Sequence, residues 1–458
     1  MNINIIRGLI YILQRESYDA RRFLFFVYRD WRWWSLEKRQ AIVWTTKAKF
    51  LYISVLVSGL AFVFLLVYFL QAWALIPLFF LVPSLPLFIL FILIFLLPLD
   101  YLLKKRIVIK ARRQLLKASV KVIGITGSYG KTSLKEILVV VLGAGFKVIA
   151  TPDNINTDLG IANFILTHRA EIGAADFFIV EMGAYQIGDI AIICDLVNPD
   201  YSFLTGINES HLERFGNLQN TIKAKFELGE RTTKKIILNL TDSNVKDNYV
   251  RFKLTAVRGV DYSAVSDIVA LLNFSGWSFK YGGQDFSTRL LARHNIILIA
   301  MALTLAEELK MDLSRAVKPL AAMPFIKHRL EPIWNASSRL LVIDDSYNGN
   351  FTGFVSGLEV LRRATGRKLV ITPGLVELGE KKEERHREIA RLYAAENLDL
   401  VIVIENSATF YMIAEFKKIG FSNYTTYPDT AAAHRDLGMV LKEGDTIIFQ
   451  NDWPDNYK

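Results

Sequence analysis

Between Phe50 and Leu99 the chain carries no charged residue, a run far longer than a soluble core helix needs. At about 20 residues per crossing it holds two membrane spans. We expect them near 50 to 71 and 77 to 98, with Trp73 and Pro77 marking a very short turn. A buried helical pair in a soluble domain is disfavoured by that length. Basic residues flank the run on both sides, with Arg29, Arg32, Lys38, Arg39, Lys47 and Lys49 before it. Lys104, Lys105, Arg106, Lys110, Arg112 and Arg113 follow it. Both flanks, and everything after them, are therefore expected on the cytoplasmic side of a cell (inner) membrane crossed as a multi-pass hairpin. Pro83 and Pro86 leave a kinked or re-entrant second span open.

The formal net charge of +10 is concentrated in the first 118 residues. That excess sits where anionic headgroups lie, which points to the lipid bilayer as a partner and away from nucleic acid. Ahead of the first span, Phe23, Phe25, Phe26, Tyr28, Trp31, Trp33 and Trp34 among arginines read as an interfacial helix. A helix packed on the soluble part is the alternative. The apolar run is too long and begins too late for a cleavable signal peptide. Two spans with no charge inside them do not make a transport pathway. The single cysteine, Cys194, excludes an intramolecular disulfide and a cysteine zinc site, and suits a reducing cytosol.

From Val122 to Ser133 the chain reads V-I-G-I-T-G-S-Y-G-K-T-S, an apolar strand running into a glycine turn. Gly127 and Gly130 let the backbone fold so that N–H groups of Ser128, Tyr129 and their neighbours converge on an anion, and the helix starting near Lys131 adds its positive end. Lys131 would meet the β and γ phosphates of ATP, with Thr132 or Ser133 on Mg2+. Ile125 stands where the outer glycine of the full motif would be. A strand before the turn and helical spacing from Leu134 to Leu142 after it supply the context the motif requires.

The residues after the membrane run suffice for two α/β domains. Strand and helix alternate from Lys121 to Val180, and a mixed region from about 235 to 290, with a Tyr281-Gly282-Gly283 turn, looks like an antiparallel edge. A second alternating pattern has strands at Leu340 to Ile343, Lys368 to Ile371 and Leu400 to Ile404, and a helix around Arg385 to Ala395. The order implies parallel sheets with helices on both faces. The expected division is 1–49 interfacial segment, 50–99 transmembrane hairpin, 100–118 basic linker helix, 119–326 central ATP-binding domain and 327–458 Rossmann-like C-terminal domain.

Further clusters follow in order. Thr151 to Gly160 reads T-P-D-N-I-N-T-D-L-G, and Glu181-Met182-Gly183-Ala184 ends a buried strand. Then come Asn208 to Gly216 with His211, the Ala224-Lys225-Phe226-Glu227-Leu228 string, Arg293-His294-Asn295 and Lys327-His328-Arg329. Asp345-Ser346-Tyr347-Asn348 and Val376-Glu377-Leu378-Gly379, with His386, complete the set. This series resembles the Mur ligases, ATP-dependent amide-forming enzymes of peptidoglycan precursor synthesis. The D-S-Y-N and V-E-L-G strings are most similar to the branch that adds D-alanyl-D-alanine. The resemblance covers roughly 119 to 450; the first 118 residues stand where the family has a soluble domain for the uridine nucleotide.

The resemblance implies a membrane-anchored ligase that turns a carboxylate into an acyl phosphate and joins it to an amino acid or a dipeptide such as D-alanyl-D-alanine. It implies an envelope-precursor acceptor, which the anchor would make lipid-linked or membrane-proximal. A ligase extending another envelope polymer, or a non-catalytic nucleotide-binding scaffold, stays open. By the same resemblance Glu181 ligates magnesium beside Thr132, His211 is a ligand of a second metal, and Lys225 is carbamylated to reach toward it. An exposed strand-end charge and a solvated helix lysine are the alternatives for Glu181 and Lys225. Asn154 and Asn156 would orient phosphate oxygens, or simply form the turn. Arg329 would approach the phosphates, Asp345 the ribose, Tyr347 and Asn348 the nucleotide, and His294-Asn295 the adenine. The chain departs from the family at Leu298 (usually asparagine), at Phe351 (often proline) and at Gln450-Asn451-Asp452 (commonly K-G-S-R), so the added amine need not be D-alanyl-D-alanine.

Overall fold

The computed structural model describes residues 3–16, 18–29, 42–70, 75–152, 155–347 and 349–451. Trp31, Trp33, Trp34, Trp73, Asn154, Asn348 and Asp452 lie outside the described residues. The chain forms two compact units, residues 1–106 and 107–457.

The first unit is helical. Helices Ile3–Arg15 and Ala20–Arg29 are followed by Thr46–Leu70 and by the helix that starts at Leu75 and ends at Leu115 in the second unit. The last is continuous through Pro77, Pro83 and Pro86, so Pro77 lies inside a helix instead of marking a turn, and the re-entrant option falls away. Two stretches, Thr46–Leu65 and Leu85–Leu115, are long and apolar enough to cross a membrane. Lys47 pairs with Asp100 at 3.0 Å, tying the start of the first apolar helix to the end of the second run. Ile6, Leu9, Leu13 and Phe23 are buried with Leu51, Val55, Ile89 and Leu93. The amphipathic N-terminal helices thus spend one apolar face on the hairpin. Phe25 and Tyr28 stay exposed, as do Phe64, Phe91 and Phe95 on the apolar helices.

In the second unit, six strands form one parallel sheet: β1 Lys121–Thr126, β2 Val148–Ala150, β3 Phe177–Glu181, β4 Tyr201–Leu204, β5 Lys235–Asn239 and β6 Val257–Val260. Their order is β2-β3-β1-β4-β5-β6. Apolar runs such as Phe177–Val180 are buried throughout, as a sheet covered on both faces requires. β1 lies between β3 and β4, so the chain order reverses at its carboxyl end, the place where open α/β sheets bind ligands. The helix Asn295–Glu308, buried almost throughout, shares a core with Lys131–Gly143 behind that point.

Strands β7 Val265–Ala270, β8 Trp277–Tyr281 and β9 Gln284–Thr288 make a separate antiparallel sheet. The mixed region is therefore not one antiparallel edge: β5 and β6 extend the parallel sheet, and only residues 265–288 run antiparallel. Gly282 and Gly283, with φ of 56° and 80°, supply the tight turn between β8 and β9. The last sheet holds β10 Glu331–Asn335, β11 Leu340–Asp345, β12 Lys368–Thr372, β13 Leu400–Ile404, β14 Tyr424–Tyr427 and β15 Thr446–Gln450. Its order is β10-β11-β15-β12-β13-β14, parallel except for β10. The α/β expectation with two sheets of this kind is met.

Candidate active site

The glycine turn leaves β1 at its carboxyl end. Gly127 has φ of 152° and lies so close to Thr205 that a β-carbon would overlap the Thr205 hydroxyl, while Gly130 at 74° precedes the helix Lys131–Gly143. Ser128 N–H donates to the Gly206 carbonyl at 2.8 Å and fastens the turn to the segment after β4. Lys131 folds back so that Nζ donates to Gly127 O at 2.8 Å. Burial pushes its ammonium below the ordinary lysine range, Glu181 opposing that shift and Arg329 reinforcing it.

Glu181 ends β3, in register with Ile125 of β1. It is buried, and Thr132 Oγ1 donates to its Oε2 at 3.0 Å. That separation matches the cis edge of an octahedron with metal–oxygen bonds of about 2.1 Å, so this pair fits a magnesium site without rearrangement. Lys225, on the helix Leu218–Glu230, is only 3% exposed. Burial pulls its amine down to about 7, and the Lys131 charge adds to that while Asp189, Glu181 and Glu227 oppose it. Neither an exposed strand-end charge nor a solvated lysine describes these two buried residues. Glu227, two residues on, accepts from Gly188 N–H (2.6 Å) and Ala191 N–H (2.9 Å) and so caps the helix Asp189–Val197.

His211 is held differently. It has φ of 59° at the start of the short helix Leu212–Phe215, and its Nδ1 meets a carboxylate oxygen of Glu377 from the V-E-L-G segment. Arg214 Nη2 pairs with the other oxygen at 3.1 Å. Among the described residues no hydrogen bond or ion pair joins His211 to Lys225.

Facing the glycine turn is a solvent-open cleft lined by Tyr129, Gly130, Ser133, His294, Asn295, Arg329, Asp345 and Tyr347, among others. This groups eight of the expected nucleotide-side residues in one place. His294 is kept neutral, its imidazole pulled down to about 4 by burial and by Arg329, with Nδ1 3.1 Å from Ser356 Oγ. The Asn295 carboxamide oxygen is buried without a hydrogen-bond partner. Asp345 is pushed up to about 8 by burial, against the pull of Arg329, whose guanidinium lies 4.7 Å from the Tyr347 ring centre. Leu298 is core, packed beneath Gly130. Phe351 opens the helix Phe351–Leu361, the position where proline is best tolerated, and Arg385 lies 4.7 Å over its ring.

Several contributors have no local signature in the sequence. Asn451 Oδ1 accepts from Gly349 N–H at 2.9 Å and its Nδ2 donates to Gly374 O at 2.6 Å, joining the D-S-Y-N and V-E-L-G segments. Arg385 Nη2 donates to Glu209 Oε1 at 2.5 Å across the two sheets. His386 is fully buried, accepts from Leu375 N–H at Nε2 (3.0 Å) and sits 2.6 Å from Lys382 O through Nδ1, a structural clamp on the Glu377 segment. Asn451 and Arg385 meet partners 77 to 176 positions away with no periodicity between them, so only the fold reveals these contacts.

The family profile described as the Mur ligase middle domain matches residues 125–306. The profile described as the Mur ligase, glutamate ligase domain, matches residues 328–450. The UDP-N-acetylmuramoyl-tripeptide--D-alanyl-D-alanine ligase of Buchnera aphidicola is 29% identical over 286 residues, 60% of this chain and 62% of that protein. The ligase of the same name from Bacillus subtilis is 26% identical over 349 residues, 74% of this chain and 75% of the relative. The MurF ligase of Thermotoga maritima, solved in complex with ADP, shares the fold at a TM-score of 0.65 and 23% identity, covering 76% of this chain and 80% of that one. The chain thus spans less than two thirds of the Buchnera relative.

Proposed function

Since this chain belongs to the Mur ligase family, we propose that it is an ATP-dependent amide ligase of peptidoglycan precursor synthesis. The observation that carries this reading is the Thr132–Glu181 pair, with Lys131 and the buried Lys225 both in electrostatic reach of Glu181. A carboxylate oxygen of the acceptor attacks the γ-phosphorus of ATP, and ADP leaves. The amine then attacks the acyl carbon, phosphate departs with the former carboxylate oxygen, and the amine proton is released.

Phosphoryl transfer between anions depends on charge neutralisation. Lys131 supplies a positive charge beside the glycine turn. Thr132 and Glu181 would hold Mg2+, which would supply charge neutralisation at the phosphates. Asn295 offers its unpartnered oxygen to a donor such as the adenine amino group, and Asp345 lies in the same cleft for a ribose hydroxyl. With its amine pulled down to about 7, Lys225 has about half of its population at neutral pH in the uncharged form that adds carbon dioxide, giving a carbamate anion and a proton. Asn154 and Asn348 belong to this reading as phosphate- and nucleotide-side residues.

The acceptor is the muramoyl tripeptide and the amine D-alanyl-D-alanine, as the names of the relatives indicate for those proteins. A second reading places the reaction at the cytoplasmic face of the cell membrane, with residues 1–49 interfacial, 50–99 spanning and 100–118 basic, and a lipid-linked acceptor. The apolar helices with exposed Phe64, Phe91 and Phe95 favour it. The test is ATP hydrolysis by the full chain in nanodiscs with magnesium and bicarbonate, against soluble and lipid-linked muramoyl peptides and a panel of amines. Phosphate release that needs both an acceptor and an amine supports the ligase, and the preferred acceptor selects between the two readings. ATP binding without turnover for any pair would favour the scaffold.

A further inference from the structure

We infer that Glu377 is a positioning residue for metal binding: its carboxylate, brought by the C-terminal domain, orients the His211 imidazole so that Nε2 faces outward as a ligand. The inference rests on the proposed metal role of His211. An ionised carboxylate only accepts hydrogen bonds, so its contact with Nδ1 sets the proton there and leaves the lone pair on Nε2. Among the described residues Nε2 has no hydrogen-bond partner, and the side chain is 38% exposed. Carboxylate, imidazole and metal in that order is the arrangement by which proteins fix a ligand's tautomer and raise its basicity.

The Glu377 segment is built for this reach. Asn451 holds the Gly374 carbonyl, His386 holds the Leu375 N–H, and Glu377 itself takes φ of 57°. Glu213 N–H then donates to Glu377 O at 3.2 Å, and Arg214 fixes the second carboxylate oxygen. Every partner of the Glu377 carboxylate named here lies in the 211–214 segment of the middle domain. Docking of the C-terminal domain therefore completes the histidine ligand, which couples that docking to metal affinity.

The test is Mn2+ binding, read by electron paramagnetic resonance on the full chain in nanodiscs with ADP present. Glu377→Ala is expected to weaken the His211-dependent Mn2+ by about 10- to 100-fold, with Glu377→Gln intermediate because it still accepts from Nδ1 without the charge. ADP affinity in each variant, within twofold of the parent, reports that the fold is intact. Arg214→Met breaks the ion pair but spares the imidazole contact, and should change Mn2+ affinity by less than about threefold. Unchanged Mn2+ affinity in Glu377→Ala, with loss in His211→Ala, overturns the inference alone. An Arg214→Met loss as large as that of Glu377→Ala overturns it in favour of a plain interdomain tie. Unchanged Mn2+ binding in His211→Ala instead overturns the metal role on which it rests.

Discussion

At the scale of single residues, Lys131 and Lys225 are two lysines that burial has set to different tasks. In the proposed reaction Lys131, which lies within electrostatic reach of Glu181, neutralises phosphate charge, so Lys131→Ala should lower substrate-dependent phosphate release by about 100- to 1,000-fold, measured by steady-state kinetics. Lys225, pulled down to about 7, is mostly neutral at pH 8 and mostly protonated at pH 6. Carbamate formation needs the neutral amine. Activity should therefore rise between pH 6 and 8, fall in carbon dioxide-depleted buffer and return with bicarbonate, whereas Lys225→Ala should not respond to bicarbonate. Lys131 was legible in the sequence because a strand, a glycine turn and K-T-S are contiguous, whereas Lys225 reads by itself as a surface helix charge and stood out only through the family resemblance of A-K-x-E-L. The Glu377–His211 contact was not, since it joins two motifs 166 positions apart that only the docking of two sheets brings together.

Among the elements, the segment 374–379 is held at several points, by Asn451, by His386 and by its left-handed Gly374, Glu377 and Gly379. Gly374 has φ of 77°, and a β-carbon there would come within 2.6 Å of His386 Nε2. Gly374→Ala should lower the unfolding free energy by roughly 1–3 kcal/mol, read from denaturant midpoints, and should weaken metal binding through Glu377. His386 is pulled down to about 4 by burial. The unfolded chain binds that proton at the ordinary 6.5, so stability is complete above 6.5 and declines as pH falls toward 4. The loss amounts to about 3 kcal/mol, and His294 adds a change of the same sign. Thermal midpoints between pH 7 and 4.5 check it. Strand positions were readable from buried apolar runs, but the pairing of β6 into the parallel sheet was not. Val257–Val260 is largely exposed and its neighbours are turns, so the local pattern matched an antiparallel ribbon.

For the whole molecule, a helical unit of residues 1–106 precedes a three-sheet unit that bears the candidate site. If the apolar helices span a bilayer, the full chain stays in the membrane pellet after alkaline carbonate washing; release into the supernatant would refute the anchor. That the apolar run forms helices was plain from its length, whereas the burial of Ile6, Leu9 and Phe23 against it needed tertiary structure. The claim that joins both sheets is the conversion of a carboxylate to an acyl phosphate between Lys131 and the C-terminal cleft. It is tested most directly with an acceptor whose reacting carboxylate carries 18O. Turnover with ATP and the amine should transfer one 18O atom into each phosphate released, leaving the other in the amide carbonyl. Phosphate free of 18O during amide formation would contradict the account.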